Sequence, residues 1–68
     1  ITDAGVAAEL VNTAVFGAAY NVGINLCDID DAVFVSDVKT RTNKLLDSVQ
    51  ERTAAIRKNV LYAVRLKD

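Results

Sequence analysis

The sequence predicts an all-α fold, two long antiparallel helices that form part of a larger helical bundle. Three observations carry this reading. The 68 residues contain no proline, and the three glycines lie at 5, 17 and 23, so nothing breaks a helix beyond Gly23. Apolar residues recur at helical spacing in both halves of the chain. Residues 4–27 hold a single charge, Glu9, whereas charges of both signs are evenly mixed after residue 31. A nearly chargeless helix cannot keep one face in water and must be surrounded by other protein or by lipid.

The first helix is expected over residues 3–22, with Thr2 or Asp3 as its N-cap. Val6, Leu10, Ala14 and Ala18 trace one apolar face, and Val11, Val15, Ala19 and Val22 a second. Ala7, Ala8, Gly17 and their small neighbours allow close approach of another helix axis. Gly23 is the expected C-cap or kink. A bilayer span needs about 20 apolar residues, but Glu9, Asn12, Asn21 and Asn25 interrupt this stretch. Its flanks are also acidic (Asp3, Asp28, Asp30, Asp31) rather than basic. The reading is therefore a buried bundle helix with no membrane partner.

Asp28-Ile29-Asp30-Asp31 forms the link. A calcium loop counted from Asp28 would place Val33 at the glycine position and Lys39 at the bidentate glutamate, so that reading fails. Asp28 or Asp30 is expected to cap the next helix instead. That helix is predicted over residues 31–64, long enough to reach about 50 Å at about 1.5 Å per residue. Its apolar stripe is read as Val38, Leu45, Val49, Ile56, Val60 and Ala63, weakened midway by Thr42, Arg52 and Thr53. Asp37 and Arg41 form an i,i+4 pair. The apolar run Val60–Val64 is expected to pack on a partner.

Composition narrows function. So short a chain is one unit, and it buries only about 60% of its unfolded surface, so completion by other segments or copies is expected. It begins at Ile1 without an initiator Met, which reads as a piece of a longer polypeptide. With no histidine and one cysteine, Cys27, neither a metal site nor an internal disulfide is expected. Cys27 reads as a small core residue. A formal charge of −1 gives no field for nucleic acid or anionic membrane. Glu9 is either structurally paired or tuned for proton transfer, and pairing is favoured. Asn21 and Asn25 share a helical face if the helix continues through Gly23. Such amides either bridge helix ends or hold a heterocycle or carbonyl ligand.

Three ordered strings carry a family resemblance: Thr2-Asp3-Ala4-Gly5-Val6-Ala7-Ala8, then Phe16-Gly17-Ala18-Ala19-Tyr20-Asn21-Val22-Gly23-Ile24-Asn25-Leu26, then an acidic link and a helix opening with Phe34. Together, over roughly residues 2–58, they resemble the C-terminal part of the formiminotetrahydrofolate cyclodeaminase family, which includes bacterial methenyltetrahydrofolate cyclohydrolases. The resemblance implies a cytoplasmic, all-α, dimerising domain. It implies a lyase of one-carbon metabolism whose substrate is a tetrahydrofolate derivative, with no further cofactor. The cyclodeaminase reaction converts 5-formiminotetrahydrofolate to 5,10-methenyltetrahydrofolate and ammonia. Asp3 falls in the family's Ser/Thr-Asp motif as the candidate catalytic residue. Asn21 and Asn25 fall in its asparagine motif as candidate substrate-binding residues. The family's domain is longer, and residues 1–68 correspond to its C-terminal fragment. Its N-terminal helices are the expected partners, and the isolated chain is expected to be inactive. The alternative is a structural helical hairpin or assembly element with no catalysis of its own.

Overall fold

The computed structural model describes residues 1–66. It consists of two helices, α1 (Thr2–Leu26) and α2 (Ala32–Ala63), folded back on each other, with no strand among the described residues. The hairpin measures 50 × 15 × 13 Å. Its radius of gyration, 15.7 Å, exceeds the value of about 11 Å expected for a compact domain of this length.

The ends of α1 differ from the sequence expectation. Ile1 occupies the N-cap and makes no side-chain capping bond. Its carbonyl already accepts from the Gly5 N–H at 3.1 Å, so Thr2 and Asp3 lie inside the first turn. Asp3 still meets the positive end of the helix dipole there. Gly23 is neither a cap nor a kink. It keeps a negative φ and the helix runs on to Leu26, at a cost of only about 1 kcal/mol for an interior glycine. Cys27 is exposed rather than in a core, and its thiol donates to the Gly23 carbonyl oxygen at 3.4 Å.

The second helix begins one residue later than an Asp30 cap would set it and three later than an Asp28 cap. Asp31, in extended conformation, accepts from the Phe34 N–H at 3.0 Å, and this replaces Asp28 and Asp30 as the cap. The reason is geometric: the donor of the first turn that needs a partner lies three residues beyond the cap. At the other end the Leu66 N–H bonds to the Leu61 carbonyl and the Arg65 N–H to that of Tyr62. This is a Schellman arrangement, and it puts Arg65 at φ 63°, in the left-handed region usually given to glycine.

The helices meet along one seam. On α1 Gly5, Ala8, Asn12, Val15, Ala19, Val22 and Leu26, alternating by three and four residues, are less exposed, and Phe16 and Gly17 are half-buried beside them. On α2 the corresponding positions are Val35, Val38, Thr42, Leu46, Val49, Thr53 and Val60. The expected stripe is thus corrected. Leu45 is 63% exposed and gives its place to Leu46, Ile56 and Ala63 are exposed as well, and Thr42 and Thr53 belong to the seam rather than weakening it. Thr53 is the most buried polar residue, at 5% exposure, and shares a groove with Ala4, Ala7 and Ala8. Small residues on α1 let the helices approach closely around this short β-branched side chain.

Register is fixed at the open end. A Cβ added at Gly5 would lie 3.0 Å from both Cγ atoms of Val60, so the glycine is a notch for that valine. Gly17 and Gly23 have no such neighbour and face open space. Beyond Leu26, no apolar residue among those described is fully buried, and Val6, Leu10, Val11 and Ile24 of α1 stay exposed. Its helix-long apolar surface is therefore uncovered on the side away from α2.

Candidate functional site

Asn21 and Asn25 are one turn apart on α1, since the helix passes through Gly23 unbroken. Both are exposed rather than buried, so their amides are available to something outside the hairpin. Asp3 is also exposed, in the first turn of the same helix. At 100° per residue Asp3 and Asn21 lie on the same face. They are 18 residues apart, however, and at about 1.5 Å per residue that is about 27 Å along the axis; Asn25 is about 33 Å away. The hairpin therefore unites the two asparagines and holds the aspartate at the opposite end. One substrate ring cannot touch all three in a single chain.

Glu9 has found a structural partner. Arg57 donates to it through both Nε, at 2.7 Å, and Nη2, at 2.9 Å, a paired contact across the two helices. Those hydrogen bonds from Arg57 hold the Glu9 carboxyl below its ordinary value of 4.5; partial desolvation opposes them and the guanidinium charge adds to them. The guanidinium is in turn held more firmly protonated. A carboxylate kept ionised in this way is a poor proton donor near neutral pH. Sequence reasoning singled out Glu9 but not Arg57, which was one of several cations on a mixed-charge helix. What could have found it is the antiparallel register, which sets the start of α1 beside the end of α2.

A shallow groove on one flank of the hairpin is lined by Asn12, Thr13, Phe16, Gly17, Tyr20 and Gln50. Phe16 and Tyr20 meet edge to face, with ring centroids 6.4 Å apart. Another groove, at the open end, is almost wholly apolar and is walled by Val6, Val60, Leu61 and Val64 beside the Glu9–Arg57 pair. No group of three or more His, Cys, Asp or Glu residues could hold a metal ion among the described residues. No described helix is long and apolar enough to cross a membrane.

Comparison with known proteins identifies a family. Residues 1–44 match the family model described as formiminotransferase-cyclodeaminase, a stretch that includes Asp3, Asn21 and Asn25. The chain is 40% identical over 55 residues to the formimidoyltransferase-cyclodeaminase of Sus scrofa, a match that covers 81% of this chain and 10% of that protein. The Rattus norvegicus protein of the same name is 39% identical over 56 residues (82% and 10%), and that of Gallus gallus 36% over 55 residues (81% and 10%). The matched part thus spans about a tenth of the length of these relatives. No solved structure matches. The chain belongs to the formiminotransferase-cyclodeaminase family.

Proposed function

We propose that this member of the formiminotransferase-cyclodeaminase family supplies the C-terminal helical hairpin of a folate-processing domain. The reaction that fits best is ring closure of 5-formiminotetrahydrofolate to 5,10-methenyltetrahydrofolate with loss of ammonia. The observation that carries the proposal is that the family match runs through Asp3, Asn21 and Asn25, and that all three stand exposed on one side of α1.

In that reaction N10 of the folate attacks the formimino carbon and its proton passes to the formimino nitrogen, which takes up a second proton and leaves as ammonia when its C–N bond breaks. An amidinium-like cation develops along the way. A carboxylate serves either need, by passing a proton to the leaving nitrogen or by matching the cationic charge, and Asp3 is the candidate for it. Carboxamides offer a donor and an acceptor together, which suits the amide-like edge of a pterin, and Asn21 and Asn25 present two of them one turn apart. The domain is assembled with further helices, on the exposed side of α1.

The test is steady-state kinetics of the longer protein with 5-formiminotetrahydrofolate and with 5,10-methenyltetrahydrofolate, run beside thermal melts. Asp3→Ala is expected to lower kcat by about 10²–10⁴, while a first-turn acidic group contributes only about 0.3–1 kcal/mol to stability. Asn21→Ala and Asn25→Ala are expected to raise KM with little change in melting. Wild-type kinetics in all three variants would remove the site from this hairpin.

A further inference from the structure

The groove lined by Asn12, Thr13, Phe16, Gly17, Tyr20 and Gln50 differs in kind from its neighbours. The groove at the open end is walled by aliphatic side chains, beside an ion pair whose members already serve each other. The one around Thr53 is walled chiefly by Ala4, Ala7, Ala8, Val11, Val49 and Ile56. Surfaces of that kind suit helix packing. Here two aromatic rings stand among two carboxamides and a hydroxyl. A helix laid over such a lining must match each polar group or leave it dry and unpaired. A small ligand with a flat ring and polar ends meets both needs. Gln50 comes from α2, so the groove belongs to both helices and is distinct from the side of α1 that faces away from the hairpin.

Its position relative to the asparagines selects the ligand. Phe16 is half-buried, and its edge-to-face contact steadies a Tyr20 ring that is otherwise 67% exposed. Gly17, one turn before Asn21, puts no side chain between them, and a Cβ there would meet nothing within 4 Å. Tyr20 and Asn21 are adjacent in the chain, about 100° apart around the helix. Along the axis, the Phe16–Tyr20 pair is centred about 8 Å before the Asn21–Asn25 pair. In a tetrahydrofolate the aryl ring of the p-aminobenzoyl group follows the pterin after a methylene and N10. A pterin held at Asn21 and Asn25 brings that aryl ring to the level of Phe16 and Tyr20, and the amide beyond it toward Asn12, Thr13 and Gln50.

We infer that this groove is the subsite for the p-aminobenzoyl ring of the folate, with Tyr20 as the residue it stacks on and Phe16 as the support of Tyr20. The inference rests on the folate reading proposed above and adds a specificity residue to it. N10 is bonded directly to the aryl ring, so fixing the ring also fixes the nucleophile against the formimino carbon. Tyr20 is in this sense a positioning residue.

Calorimetric titration of the longer protein with two fragments of the substrate, p-aminobenzoylglutamate and 6-methyltetrahydropterin, tests this. Tyr20→Leu is expected to weaken p-aminobenzoylglutamate by about tenfold, the loss of one stacked ring, and to leave the pterin fragment unchanged. Asn21→Ala is expected to do the reverse. Tyr20→Phe keeps the ring and is expected to retain the aryl affinity. Because Tyr20 is exposed, both of its variants are expected to melt with the wild type. A wild-type protein that does not bind p-aminobenzoylglutamate, or equal loss of both fragments in Tyr20→Leu, would overturn the inference. So would a lowered melting temperature with aryl affinity kept, which would assign Tyr20 to packing against further helices. The two readings fail separately. If the pterin fragment depends on Asn21 while the aryl fragment ignores Tyr20, the subsite is wrong and the folate function stands. If neither fragment binds and the Asp3, Asn21 and Asn25 variants keep wild-type kinetics, the function itself is wrong.

Discussion

Gly5→Ala is a sharp probe of the hairpin because two effects of known sign oppose each other there. Alanine is favoured over glycine inside a helix by about 1 kcal/mol. Against this, the new methyl would stand 3.0 Å from Val60 Cγ1 and Cγ2 and 3.4 Å from its Cβ. Valine in a helix has one strongly preferred rotamer, so Val60 cannot swing both methyls away. The helices must separate by a few tenths of an ångström, and overpacking of this kind costs about 1–3 kcal/mol. Gly5→Ala is therefore expected to be neutral or destabilising by up to about 2 kcal/mol. In a Val60→Ala background the obstruction is gone and the same substitution should stabilise by about 1 kcal/mol. The sign reversal is read as a double-mutant cycle in urea unfolding at fixed protein concentration. If Gly5→Ala stabilises equally in both backgrounds, the notch does not exist and the register derived from it is wrong.

Two other outcomes follow from local geometry. Arg65→Gly is expected to raise stability by about 1 kcal/mol, because a side chain at φ 63° carries a cost that glycine avoids; thermal melting checks it. The Glu9–Arg57 pair contributes fully above the ordinary carboxyl value of 4.5 and is lost as the pH falls through the lower folded-state value, so Glu9→Gln should flatten the acid limb of the melting-temperature profile. Identical acid limbs for wild type and variant would show that the pair does not hold the ends together.

Much of the fold was legible because it follows from what is missing: no proline, no glycine after residue 23, and no cation before Lys39. Helix ends were less so. A glycine stops a helix only when the chain needs a left-handed residue there, and at Gly23 it does not. Among three aspartates near residue 30, only the position of the Phe34 N–H decides which one caps. The seam of α2 was ambiguous because Leu45 and Leu46 are adjacent. The choice between them depends on the partner helix, which a periodicity count on one helix does not contain. Spacing put Asn21 and Asn25 on one face, but their exposure, and that of Asp3, is seen only in the hairpin. Asp3, Asn21 and Asn25 share one side of α1, and no reading of one chain tells what stands opposite them.

The two helices also divide the work of the molecule. All eight basic residues follow residue 38, so α2 carries mixed charge away from the seam and suits a solvated outer layer. Between Glu9 and Asp28 there is no charge at all, so α1 has no face suited to water and must be interior. Glu9 lies on a flank of α1 beside the seam, where Arg57 can reach it without entering the seam. The link closes one end of the hairpin, and the Val60 notch and this ion pair hold the other. Held at both ends, α1 presents an exposed side about 33 Å long from Asp3 to Asn25.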